Sequence, residues 1–257
     1  MTQTTPAHHR LAHDSDEYKA ALASSMRWDA DRQEPYLQLP NFPHIRITPF
    51  REGIEDELVT LFNHPEVGKR LYSLPYPMPK SFAEAWVEKD LPEHRAIISA
   101  ITEHAASLDA DKPIIPRPGA PLLNGSPFKT VWDTEQGRII ADIKYAIDTE
   151  NEDGSKKTEE DAYAAPRDQH KYELGYVLEP AAWGKGLASE IVGAIVYGWG
   201  EVWVRPGKVA AYAETNNVGS GRVLLKNGLT KVREFEEKWP EHKGGEVKHV
   251  GYYERVA

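Results

Sequence analysis

The sequence predicts a mixed α/β domain, with helices set between strands, on three observations. The run from Phe128 to Ile147 sets two apolar-rich stretches on either side of a glycine-containing turn, the pattern of a hairpin. Tyr172, Leu174, Tyr176 and Leu178 alternate with Glu173, Gly175 and Val177, so residues 170–180 read as a half-buried strand. Leu187, Ile191, Ile195 and Trp199 then recur at helical spacing, with Ala188, Val192 and Val196 beside them.

The elements follow in order. Residues 1–43 read as an N-terminal arm: a polar start, a helix over Asp16–Trp28, then proline-interrupted chain. Residues 44–257 read as one domain. Its first strand is His44–Phe50, with Pro49 marking the end. A helix follows over 53–72, where Ile54, Leu58, Leu61 and Phe62 make one stripe and acids fill the first turn. The stretch Ser73–Pro79 breaks the chain. Ser81 and Glu84 have capping-box spacing, so a helix is expected to start there and to continue from Glu93 to Leu108. Two insertion loops are expected, near 109–127, rich in Pro and Gly, and near 149–169, charged and nearly free of aliphatics. The second could serve as a lid over a nearby site. Lys208–Glu214 reads as a strand, 216–228 as a short helix started by Asn and stopped by Gly228, and 229–239 with 246–256 as a terminal hairpin.

Composition narrows the function. With 257 residues, 40% of them apolar, and seven Trp, the chain can build a large core. A net charge of −9 disfavours a nucleic-acid binder. No window reaches the roughly eighteen uninterrupted apolar residues of a membrane span, and the start lacks signal-peptide and transit-peptide patterns, so a cytoplasmic address is expected. The absence of cysteine removes disulfides, thiolate metal sites and a cysteine nucleophile. Among the histidines, His8, His9 and His13 sit in the arm, and His94 and His104 do not share a helix face. No metal site is expected.

The stretch Trp183–Glu190 (WGKGLASE), between a strand and a helix, asks for a closer reading. Gly184 and Gly186 would fill the first two glycines of a dinucleotide fingerprint, but position 189 is Ser and the strand ends too far upstream. A Walker A loop would need Gly at 179 and Ser or Thr at 186, where Glu and Gly stand. What remains is an anion site built of backbone N–H groups at a helix start, where glycine lets the chain approach a pyrophosphate closely.

Downstream, Asn217, Ser220, Arg222, Val223, Leu224, Lys226 and Gly228 form a second motif. Together the two motifs resemble the Gcn5-related N-acetyltransferase (GNAT) superfamily, in its ribosomal-protein-alanine acetyltransferase-like branch. The resemblance runs from about His44 to Val256. It departs at Ala181, where the family's loop often carries Gln or Arg, so a cradle here works through backbone. The resemblance implies a twisted, mostly antiparallel sheet flanked by helices, with acetyl-CoA in a V-shaped slot between two splayed parallel strands.

It further implies direct attack of a primary amine on acetyl-CoA in a ternary complex. Tyr176, Val177 and Leu178 would line the slot, with the Val177 amide facing the developing oxyanion. Trp183, Gly184, Lys185, Gly186, Leu187, Ala188 and Ser189 would hold the pyrophosphate, Asn217 the pantetheine arm, and Arg222 and Lys226 the nucleotide phosphates. An amine of pKa about 10.4 costs about 4.6 kcal/mol to deprotonate at pH 7, so a proton acceptor is needed. Glu173 and Glu214 are the candidates, Glu173 the first choice, with Ser220 as proton donor. Tyr212, Tyr252 and Tyr253 are alternative donors. Tyr72, Tyr76 and Trp86 are candidate contacts to the amine. The expected acceptor is a small molecule, the alternatives being a protein N-terminus or a CoA-binding protein without transfer activity. No nucleic-acid or membrane partner is expected, and a monomer and a homodimer both remain open.

Overall fold

A computed structural model describes residues 10–150 and 155–256; His8 and His9 fall outside them, as do residues 151–154 of the expected loop. Nine strands form one sheet: β1 (Met26–Asp29), β2 (Glu34–Leu39), β3 (Phe42–Pro49), β4 (Phe128–Asp133), β5 (Arg138–Ile147), β6 (Lys171–Leu178), β7 (Lys208–Glu214), β8 (Thr230–Lys238) and β9 (Val247–Val256). Their order is β1-β2-β3-β4-β5-β6-β7-β9-β8. Every neighbouring pair is antiparallel except β6 and β7. This is the mostly antiparallel α/β sheet, with one parallel pair, that the resemblance implies.

Two apolar layers cover the faces. Along β6, Tyr172, Leu174 and Leu178 turn to the larger core, and Val177 packs on the other side against the smaller one. The larger core receives α1 (Asp16–Ala23), α6 (Leu187–Gly193) and α7 (Val218–Lys226). The smaller one is built by α2 (Glu55–Phe62), α3 (Pro65–Gly68) and the first half of α4 (Lys80–His104). Burial of each large aliphatic in these layers contributes about 1.5–3 kcal/mol.

Several elements differ from the sequence reading. The first helix stops at Ala23, and Met26–Leu39 folds as a hairpin paired onto β3. Its signal was present: Met26 and Trp28, then Leu37 and Leu39, alternate inward and are buried, but Pro35 and Pro40 masked it. The helix expected at Ser81 starts instead at Lys80 with Pro79 as its N-cap. It runs unbroken through Pro92, as the expected continuation past Glu93 requires, and ends at His104 rather than Leu108. The 109–127 connection is packed rather than loose. Ile114 and Leu123 are buried, and the Leu123 amide donates to the Trp203 carbonyl at 2.8 Å. Within 149–169 lies α5 (Glu159–Ala164), capped by Thr158. The helix after the glycine loop begins at Leu187, changes to π form at Ala194 and continues to Val204.

Candidate active site

β6 and β7 pair in register from Lys171↔Lys208 to Leu174↔Ala211 and no further. Beyond that point the two strands diverge, and the backbone groups of Gly175–Leu178 on the β7 side have no strand partner. β5 continues to pair the other side up to Ala141↔Leu178. A slot therefore opens at the centre of the sheet, with Val177 on its wall.

The glycine loop stands at one end of the slot. The Trp183 indole donates to the Leu178 carbonyl at 2.7 Å, fixing the loop to the strand end. Gly184 has φ +75 and Gly186 φ +84, a backbone region that favours glycine. Among the described residues, chain neighbours apart, no atom lies within 4 Å of where a Gly184 Cβ would stand, and at Gly186 the nearest is the Arg10 guanidinium at 2.8 Å. No side chain caps the helix that starts at Leu187. Its first N–H groups therefore point outward without an intrahelical partner. This is a cradle a phosphate fits, and side chains would fill it.

On the far side of the slot stands the α7 start. The Asn217 carboxamide oxygen accepts from the Ser220 amide at 3.1 Å, capping the helix, which leaves only its NH2 for other contacts. Tyr176 reaches across: its hydroxyl lies 2.8 Å from Ser220 Oγ. Burial pushes the Tyr176 phenol up to about 12, against the opposing pull of the Ser220 hydrogen bond. The phenol therefore keeps its proton throughout the working range of an enzyme. Arg222 and Lys226 are exposed on α7.

The two candidate bases lie on the sheet face opposite Tyr176, the face that also bears Val177. Glu173 is 2.5 Å from Lys144 Nζ. Glu214 accepts from Lys248 Nζ at 3.1 Å, and its side chain is only 9% exposed. Glu214 lines a cleft of about 740 Å³ and Glu173 does not. The cleft lies between the α3–α4 loop and the β8–β9 connection. Trp239 donates to the Lys69 carbonyl at 3.3 Å, Lys243 donates to the Leu71 carbonyl, and Tyr72 meets Trp239 edge-on at 5.4 Å, so the two loops are tied together.

Of the three aromatics expected to contact an amine, Tyr76 is on the cleft wall. It fits there because residue 68 is glycine: a Cβ at Gly68 would stand 2.3 Å from the Tyr76 ring. Trp86 instead packs among Phe50, Phe62 and Phe82, and its indole donates to Asp90 at 2.8 Å. Tyr212 and Tyr252 lean on one another at 5.3 Å. Tyr253 is buried in the larger core.

Sequence reasoning missed Asp142, which lies across from Val177 in the β5–β6 register. Burial pushes its carboxyl up to about 7 although Lys129 Nζ stands 3.8 Å away. Burial, aided by the same lysine, holds His94 down to about 4, and the neutral ring accepts from the Phe50 amide at 3.3 Å. Among the described residues no group of three or more His, Cys, Asp or Glu could hold a metal, and no helix is long and apolar enough to cross a membrane.

A family model described as an acetyltransferase (GNAT) domain matches residues 126–230. No curated protein matches the sequence. Among solved structures, ribosomal-protein-S5-alanine acetyltransferase from Vibrio fischeri aligns at TM-score 0.51 and 14% identity, over 84% of this chain and 94% of that one. Spermidine N-acetyltransferase from Vibrio cholerae, in complex with CoA and spermine, aligns at TM-score 0.53 and 12% identity, over 83% and 95%. The microcin C7 self-immunity acetyltransferase MccE, in complex with acetyl-CoA and AMP, aligns at TM-score 0.53 and 14% identity, over 83% and 93%. At such identities these likenesses speak for the fold.

Proposed function

We propose that the chain transfers the acetyl group of acetyl-CoA to the primary amine of a small molecule, with both substrates bound together, because residues 126–230 match a family model described as an acetyltransferase (GNAT) domain. The observation that carries this reading is the opening of β6 from β7 beyond Leu174↔Ala211, between the glycine cradle and the cleft at Glu214. A volume of about 740 Å³ between two tied loops suits a small ligand rather than a folded chain.

Acetyl-CoA supplies the activated acyl carbon. The protein's tasks are to hold phosphate, accept the proton of the amine, stabilise negative charge on the carbonyl oxygen, and return a proton to the leaving thiolate. The cradle at Gly184–Ser189 takes the first. From the ammonium form the nitrogen gives up two protons: one leaves before attack, and one is lost as the N–C bond forms, which balances the one that sulfur takes as the C–S bond breaks. Glu214, at the cleft, is the acceptor, in preference to Glu173. The Val177 amide beside the slot serves the oxygen. Ser220, backed by the Tyr176 hydroxyl at 2.8 Å, hands on the proton to sulfur.

Tyr176→Phe removes the proton behind Ser220 while keeping the ring's packing. We expect kcat to fall about tenfold to a hundredfold with KM for acetyl-CoA within a factor of about three. A purely packing tyrosine would leave kcat unchanged. Steady-state kinetics at saturating amine decides between the two.

The cleft also constrains the acceptor. Arg70 pairs with Glu66 at 3.2 Å and Lys248 with Glu214 at 3.1 Å, leaving Lys69 and Lys243 against Glu246 alone. Burial, with Lys248 nearby, holds the Lys243 ammonium below its ordinary value, and an anion beside it would relieve that. An amine that also carries a carboxylate therefore suits the cleft better than a polyamine.

The decisive experiment follows CoA thiol release over matched amines: lysine and cadaverine, tyrosine and tyramine, spermine, and peptides beginning with Ala or Ser. We expect the amino acids to exceed their decarboxylated partners by about tenfold in kcat/KM, the contribution of one charged hydrogen bond. Preference for the peptides would overturn the small-molecule reading. Absence of transfer to any amine would leave a CoA-binding protein without activity.

A further inference from the structure

The loop Glu179–Gly186 offers Lys185 as its one cation, and its residue 181 is alanine. A second cation reaches it from the start of the chain. Arg10 donates through Nη2 to the Lys185 carbonyl at 2.8 Å, and its guanidinium lies 5.3 Å from the Phe42 ring centroid. Among the described residues no carboxylate pairs with it.

A relay of hydrogen bonds holds the segment there. Glu190, in the first turn of α6 and fully buried, accepts from the Asn41 amide at 2.6 Å and from Asn41 Nδ2 at 3.0 Å. Asn41 in turn clasps Leu11 from both sides: its Oδ1 accepts from the Leu11 amide at 2.7 Å, and its Nδ2 donates to the Leu11 carbonyl at 3.2 Å. The buried carboxylate thus fixes the residue next to Arg10. Burial lowers the His13 pKa most, Lys226 and Arg10 lower it further, and Asp14 opposes them. Two cationic side chains from separate parts of the chain, Arg10 and Lys185, therefore meet at the glycine cradle, with the buried Glu190 carboxylate near Arg10 but beyond ion-pair distance.

Resting on the acetyl-CoA reading above, we propose that Arg10 is a ligand for the pyrophosphate of CoA, clasped over the glycine loop by the Asn41–Glu190 relay. The loop supplies backbone N–H donors, and the N-terminal segment supplies the charged fork that the loop's own side chains do not. The Nη2 that donates to the Lys185 carbonyl anchors the guanidinium, and its remaining N–H groups, which have no hydrogen-bond partner among the described residues, would meet the phosphate oxygens. A bidentate guanidinium fits a diphosphate better than a lysine does.

Calorimetric titration of the full chain tests this without turnover. Arg10→Ala is expected to weaken CoA and 3′-dephospho-CoA alike, by about tenfold, and to leave pantetheine binding unchanged. Arg10→Lys should recover only part of the loss. Asn41→Ala, which releases the segment, should weaken CoA in the same direction. Equal CoA affinity in Arg10→Ala and the parent overturns the proposal, and tighter binding shows that Arg10 instead blocks the cradle. A loss seen with CoA but not with dephospho-CoA places Arg10 on the 3′-phosphate and overturns the pyrophosphate assignment. A parent protein that binds pantetheine but gains nothing from the pyrophosphate of CoA overturns the cradle itself, and Arg10's role with it.

Discussion

Changing Gly184 and Gly186 together to valine is expected to weaken acetyl-CoA binding at least a hundredfold while pantetheine binding holds. Both residues have left-handed backbone, φ +75 and +84, where an L side chain costs about 1–2 kcal/mol. That strain acts on the fold and says nothing of a ligand. The difference lies in what the new atoms meet. At Gly184 a Cβ meets no described atom within 4 Å beyond its chain neighbours, so a valine there is expected to collide with something bound, while at Gly186 it also meets the Arg10 guanidinium at 2.8 Å. A phosphate held by helix-start N–H groups loses two charge-assisted hydrogen bonds when pushed away, each contributing about 1.5–3 kcal/mol. The sum exceeds the roughly 2.7 kcal/mol that a hundredfold change requires. Gly53 and Gly137 give the control, since both have positive φ and open surroundings away from the loop. Valines there should lower Tm comparably and leave acetyl-CoA affinity alone. Should the loop pair lose too much stability, Gly184→Ala carries the same test at smaller cost. Unchanged affinity in a folded loop variant would reduce the glycine loop to a packing turn.

The parts of this site that could be read in the sequence are those fixed by short-range geometry. β4 and β5 fall where the hairpin was expected, because the turn between them ends on Gly137 with φ +66. The glycine loop and the Asn217 cap were legible for the same reason, since backbone conformation and capping act over a few residues. What was not legible depends on approach between distant segments. Arg10 reaches Lys185 only because a buried glutamate on α6 holds the turn at Asn41. Tyr176 finds Ser220 only because β6 and α7 face one another across the slot. The choice between Glu173 and Glu214 turned on the same kind of fact. Each carries a lysine partner from another strand, Lys144 or Lys248, and only Glu214 lines the cleft. The edge hairpin β1–β2 is a different failure. Its inward alternation was in the sequence, but Pro35 and Pro40 suppressed the strand reading, although Pro35 pairs opposite Trp28 in the strand next to the sheet's edge.

Glu214→Gln should lower kcat about a hundredfold to a thousandfold at pH 7, the usual range for a positioned general base. The amide keeps the shape of the side chain but cannot accept the ammonium proton. Lys248 would lose its carboxylate while remaining over the Trp239 ring at 4.3 Å, so the cleft wall retains a packed cation. The stability cost of that change, about 1–3 kcal/mol, is read separately as a shift in Tm. The pH profile then separates chemistry from structure. As pH rises toward the amine's own pKa, near 10.4 for a lysine-like acceptor, the substrate arrives already deprotonated and a base matters less. The deficit of Glu214→Gln should therefore shrink by about tenfold per pH unit over the range where free amine limits the rate. A deficit that stays constant with pH would make Glu214 a structural partner of Lys248 and no more. Glu173→Gln provides the comparison. Should the pH-dependent loss appear there and not at Glu214, the base lies on β6, and the amine approaches beside Lys144 instead of through the cleft.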